Sequence, residues 1–161
     1  MKLSKGLLLG LLLLSLACSY GCARAARNTE GFATNDTITV NAPFQDTWQT
    51  AKAVLREEGY DLYTRDKRGV FIAYTDSKHR LLSLHRKKYT VSLAPASDTT
   101  TQITVETIRQ VYGATLLTYP GWHDRKTEDH TGAQEILNSI QAKVSEGTSV
   151  EGKQGSEAPS S

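Results

Sequence analysis

The chain has 161 residues, 39% of them hydrophobic, with 19 basic and 17 acidic side chains and a formal charge of +2. Lys2 and Lys5 are the only charged residues before Cys18, so the excess sits in that lead and the remainder is balanced, with no basic field to argue for nucleic acid. Both cysteines, Cys18 and Cys22, stand near the start, which excludes a disulfide or thiolate site from the segment that follows and leaves its stability to a hydrophobic core.

Lys2 and Lys5 precede the apolar run Leu7 to Ala17. A positive lead before an apolar stretch of about eleven residues has the pattern of an export signal, and it falls short of the roughly twenty residues that cross a bilayer core. Leu14-Ser15-Leu16-Ala17-Cys18 resembles the lipobox of bacterial lipoproteins, with Ser15 where leucine is usual. The resemblance implies that residues 1–17 are a lipoprotein signal peptide and that Cys18 is the lipidation site, carrying palmitate-type chains. Cys22 is the alternative site, and an ordinary cleaved signal with two incidental cysteines is the plainer alternative. Two or three acyl chains hold a protein stably on a membrane, whereas one binds marginally. Ser19 stands where an aspartate would resemble a retention signal, which implies the outer membrane, with the domain facing the periplasm.

Residues 18–35 are polar and aperiodic, as expected of a flexible tether with an r.m.s. reach of roughly 20 to 25 Å. Residues 36–145 are expected to form one α+β domain of about 110 residues, enough for a modest core. Residues 146–161, rich in Gly, Ser and Glu, are expected to be a disordered tail.

Within the domain, Thr37 to Val40 predicts a strand, and Asn41-Ala42-Pro43 supplies a cap and an early-helix proline. Phe44, Trp48, Ala51 and Leu55 recur at helical spacing, and Gly59 stops the helix. Tyr60 to Thr64, Val70 to Thr75, Tyr89 to Ala94 and Gln102 to Val111 read as strands, several alternating with period two, while Leu81 to Arg86 is open between strand and loop. Asp66-Lys67-Arg68-Gly69 and Pro95-Ala96-Ser97-Asp98 read as hairpin turns. Tyr119-Pro120-Gly121-Trp122 reads as a further turn, after which Thr127 caps a second helix with Ala133, Ile136, Leu137, Ile140 and Val144 on its buried stripe. Gly132 is expected to weaken that helix slightly. The order predicts a two-layer sandwich, an antiparallel sheet of about five strands with two helices on one face.

The stretch from Thr37 to Thr75 also carries a pattern: a strand ending in Asn-Ala-Pro-Phe, a Trp one turn on, a Leu-bearing helix closed by Glu-Gly-Tyr, then an Arg-Asp turn into a strand. It is similar to the helix-grip modules of the BamC lipoprotein family, a component of the machinery that assembles β-barrels in outer membranes. That family has two such modules and a long N-terminal segment that docks on a partner, whereas this chain has one module and a short tether. The resemblance implies a helix-grip-like fold and a cell-envelope setting.

The densest polar cluster is Tyr119 to Asp124 with Glu128, Asp129 and His130, whose imidazoles and carboxylates are of zinc-ligand type but whose spacing matches no ligand box. The plainer reading is a rigid loop, with Tyr119 and Trp122 plugging the end of the sheet and the acids serving the helix N-terminus. Ser83 near His85 lacks an evident third member for nucleophilic catalysis. The stretch Lys78 to Lys88 has no acid, and Lys78, Arg80, Arg86, Lys87 and Lys88 are candidate surface-binding residues for anionic headgroups or an acidic partner; a solvated edge that discourages strand pairing is the plain alternative.

The expectation is therefore a non-enzymatic, lipid-anchored periplasmic module with no metal and no cofactor. It is held on the membrane through its acylated N-terminus and binds an envelope protein partner or a membrane surface, and not nucleic acid. A second reading is an apolar-ligand or lipid-binding domain, with a cavity lined by Trp48, Leu55, Tyr74, Tyr89 and Ile140. A third is a zinc-dependent hydrolase using His123 and His130.

Overall fold

A computed structural model describes residues 26–80, 83–113 and 119–154; the expected signal peptide, Cys18 and Cys22 lie outside the described residues. The described elements are β1 (Thr34–Val40), α1 (Phe44–Glu57), β2 (Asp61–Asp66), β3 (Val70–Tyr74), β4 (Lys78–Arg80), β5 (Ser83–Pro95), β6 (Thr101–Gly113), β7 (Gly121–Arg125) and α2 (Thr131–Gln154). The fold is α+β, with one antiparallel sheet ordered β1-β6-β5-β3-β2, in which β4 also pairs with β5 and β7 with β6.

The sheet has seven strands where about five were expected. The additions are β4, β7 and the first half of β5. Lys78-His79-Arg80 is too short and too charged to show a period, and Pro120-Gly121 ahead of β7 reads as a turn. Both segments become strands because long neighbours offer backbone groups that need partners.

Alternation along the strands brings Phe71, Ala73, Tyr89, Val91, Leu93, Ile103 and Val105 to one face, all buried. Trp48, Ala51, Val54 and Leu55 of α1 and Ala133, Ile136, Leu137, Ile140 and Val144 of α2 join them in one core cluster. Both helices thus lie side by side on the same face. Each large aliphatic side chain buried this way contributes about 1.5–3 kcal/mol, which is how described residues that include no cysteine hold together. Trp48 lies 5.3 Å from the Phe71 ring, and its Nε1 donates to the Asp66 carbonyl at 3.0 Å, tying α1 to the β2–β3 turn.

The helix ends differ from expectation. Pro43, not Asn41, stands at the N-cap of α1, without a side-chain cap bond. Thr47 compensates from inside the helix, its N–H and hydroxyl both donating to the Pro43 carbonyl at 3.0 Å. Gly59 ends α1 at φ 79°, as expected of a left-handed stop. For α2 the cap is Asp129, whose Oδ1 accepts from Thr131 N–H at 3.0 Å, whereas Thr127 turns back to accept from Asp129 N–H at 3.2 Å. The helix therefore starts later, and acids placed in its first turn by the sequence reading sit before it.

The flanks are also more ordered than their composition suggests. The strand β1 begins inside the expected tether, and the Phe32 carbonyl accepts from Thr127 N–H at 3.0 Å. The helix α2 runs to Gln154, so the expected disordered tail is helical over 146–154, and polarity alone does not stop a helix already nucleated on a core.

Gly132 does more than weaken a helix. A Cβ there would overlap the Tyr89 hydroxyl and stand 2.9 Å from Tyr89 Cζ, so glycine lets the start of α2 rest on that ring.

Candidate functional site

The strands β5 and β6 are each 13 residues long, and the helices cover only part of them. Over the covered part they are flanked by β1 and β3. Toward the start of β5 and the end of β6 the flanks are β4 and β7, and this half of the sheet projects past the first turn of α2.

A groove of about 900 Å3 opens where that first turn meets the projecting half. Its inner end is formed by Tyr60 and Tyr89, edge to face at 5.5 Å. Burial, and then the nearby Asp129 and Glu135 charges, push the Tyr89 hydroxyl up to about 12. Tyr60 is pushed up further, by burial first and then by Tyr89, Glu58 and Glu135. Both are neutral donors at any physiological pH.

The outer walls carry charges of both signs. Lys87 Nζ lies 2.6 Å from Asp129 Oδ2, the same carboxylate whose other oxygen caps α2. The Lys87 bond, then those from Thr131, pull the Asp129 carboxyl down to about 2. Lys126 pairs with Glu128 at 2.9 Å. Across the strands, Lys87 stands directly opposite Arg109, and Arg109 directly opposite Arg125. Three cations therefore form one row on the groove side of β5, β6 and β7. Like charges directly opposite in a sheet are destabilising, and here Asp129 answers Lys87 while Arg125 donates to the Asp124 carbonyl at 2.8 Å. Lys78 stands opposite His85 on the β4 side of the same surface.

The other face of the projecting half is built differently. The Arg86 guanidinium lies 3.9 Å from the Tyr74 ring centroid and 4.1 Å from that of Trp122. Its Nε donates to Gln110 Oε1 at 2.8 Å, and Gln110 Nε2 donates to Asp124 Oδ1 at 2.8 Å. Burial lowers the Arg86 pKa, opposed by Tyr74, Asp61 and Asp124. Tyr63 and Tyr112 flank the sandwich, 78% and 39% exposed.

Strand alternation thus divides the candidate surface residues. Lys78 and Lys87 line the groove, while Arg86 and Lys88 lie on the opposite face, with Arg86 committed to its stack. Arg80 stands opposite Ser83 in β4; its side chain lies outside the described residues. The five do not form one patch.

The other candidates also move apart. His123 pairs in register with Val111, whereas His130 Nδ1 lies 2.8 Å from Asp36 Oδ2, and among the described residues no group of His, Cys, Asp and Glu is arranged to hold a metal. Ser83 and His85 lie opposite Arg80 and Lys78, with no carboxylate at either cross-strand position. Tyr119 is 95% exposed and Trp122 is stacked on Arg86, so they do not jointly plug the sheet. Trp48, Leu55 and Ile140 fill the core, Tyr89 stands between that core and the groove, and Tyr74 faces away from them.

Sequence reasoning missed Arg109, Arg125, Lys126 and Tyr60. Arg109 and Arg125 come from separate strands, and no local spacing announces their row with Lys87; knowledge of the β6–β7 pairing was the missing signal. No protein-family profile matches this chain, and no curated protein does.

Proposed function

We propose that the protein is an exported, lipid-anchored and non-enzymatic module of the cell envelope that binds a partner through the groove end of its sheet. On this reading Cys18 carries the acyl chains, the outer membrane holds them, and the domain works on the periplasmic side. The finer architecture is a helix-grip-like, two-layer sandwich akin to the modules of the BamC lipoprotein family, so that outer-membrane protein assembly is the process proposed.

The observation that carries the reading is the division of the sheet. Where the helices cover it, side chains such as Phe71, Val91, Ile103 and Ile140 pack to zero exposure and leave a filled interior, which favours a binding surface over a buried apolar ligand. Where the sheet projects, an open groove combines cations, neutral tyrosine hydroxyls and the start of a helix. Such a surface recognises charged or hydrogen-bonding partners, and an anchor raises its effective concentration near anything on the same membrane.

Crosslinking the tagged full-length protein in intact cells, with Cys18→Ala as control, tests the reading. Recovery of barrel-assembly or other envelope proteins from the membrane fraction, lost in the control, is the expected result. A Cys18→Ala protein that still fractionates with the membrane and keeps the same crosslinks would overturn the anchored reading.

A further inference from the structure

We infer that the cation row of the groove end faces the bilayer that carries the anchor and binds the phosphates of its anionic headgroups. The inference rests on the anchored reading above and names the partner of that same groove. Two independent observations support it.

The first is where the chain enters the domain. The start of β1 pairs with Thr107 on β6, and Phe32 is held against Thr127, on the loop that walls the groove. The 13-residue strand β5 spans about 43 Å from its start near the groove to its end at the opposite turns. The register sets the start of β1 level with Tyr89, at the middle of β5, and Phe32 lies against the groove loop, so the chain enters nearer the groove than the turn at Asp98.

The second is charge. Lys87, Arg109 and Arg125 stand in one cross-strand row, with Lys78 and Lys126 at its margins. Asp129 and Glu128 answer Lys87 and Lys126. The side chains of Lys78 and Arg109 have no hydrogen-bond or ion-pair partner among the described residues. The remaining groove acids are Asp76, between β3 and β4, and Glu135, which lies at the inner end against Tyr60 and Tyr89 and so away from the mouth. At the opposite end the turns carry Asp66, paired to Arg68, together with Lys67 and Asp98, so charge there is balanced and not gathered into a row. A row of like charges is relieved when an anion sits across it, and cations beside a lipid surface gain such anions within a Debye length. The aromatic-stacked Arg86 takes no part, because its guanidinium is enclosed by Tyr74 and Trp122.

The test uses the acylated full chain in a Cys22→Ser background. A fluorophore is attached at Ser83→Cys, beside the groove, or at Asp98→Cys, at the far turn. The protein is reconstituted into vesicles of phosphatidylcholine alone or mixed with phosphatidylglycerol, each containing lipid-borne quenchers. Quenching several-fold stronger at position 83 than at 98 is expected with phosphatidylglycerol, weakening with salt and lost when Lys78→Gln and Arg109→Gln are combined. Equal quenching at the two positions on an acylated protein, or a difference unaffected by phosphatidylglycerol, overturns this inference and leaves the anchored reading standing. Mass analysis showing no acyl chain at Cys18 overturns both.

Discussion

The covered and projecting halves of the sheet share the same two long strands and are held by different forces. In the covered half, side chains from two helices and four strands exclude water, and apolar burial carries the stability. In the projecting half, the strands β4 and β7 add backbone pairing, a guanidinium sandwiched between two rings adds cohesion, and a row of cations subtracts from it. The contrast teaches that β5 and β6 are anchored at one end so that the other can carry groups with poor packing and unfavourable charge, which is the usual condition of a binding surface.

The sharpest way to break the contrast is at the boundary between the halves. Gly132→Ala should raise intrinsic helix propensity, yet the added methyl meets Tyr89, a buried ring fixed edge to face against Tyr60. Overpacking dominates, and a loss of about 1–3 kcal/mol is expected in denaturant unfolding. A gain in stability would mean that the ring yields easily and that the boundary is soft.

A smaller effect is expected from Arg86→Met, which keeps the stem but removes the guanidinium from Tyr74 and Trp122 and leaves Gln110 Oε1 without its donor. A loss of about 0.5–2 kcal/mol follows from the cation–π contacts, with faster amide exchange in β7 and at the Tyr74 end of β3 and unchanged protection in β1. Uniform loss of protection across the sheet would show that the halves unfold as one unit.

The smallest effect concerns pH. The Asp129 carboxyl is held down to about 2 from an ordinary value of 3.8, chiefly by Lys87 and then by Thr131. A depressed carboxyl contributes stability that is fully present above about pH 4 and is lost as the pH falls through about 2. Because the pair is partly solvated, the contribution is expected to stay below about 1 kcal/mol. Asp129→Asn should flatten that part of the acid limb in a pH series of thermal midpoints; an unchanged limb would assign it to other carboxylates.

Much of the covered half was legible in the sequence. The helical spacing of Trp48, Ala51 and Leu55, the stripe Ile136, Leu137 and Ile140, and the alternation of Tyr89, Val91 and Leu93 all mark residues that are buried. Periodicity succeeds there because burial of one face is what stabilises those elements. It fails in the projecting half, where β4 and β7 bury no continuous face and are strands because an extended neighbour offers hydrogen bonds. The helix ends were misplaced for a similar reason: several Thr, Asn and Asp residues are competent caps, and the geometry of the approaching chain selects among them, as with Asp129 over Thr127.

By itself the sequence determined the α+β class, the two amphipathic helices and the apolar face they share, because each follows from local spacing and the need to remove apolar surface from water. Tertiary structure alone decided which cations share a face. Alternation sends Lys87 into the groove and Arg86 to the far side, and register brings Arg109 and Arg125 beside Lys87 from strands whose partners the linear chain does not declare.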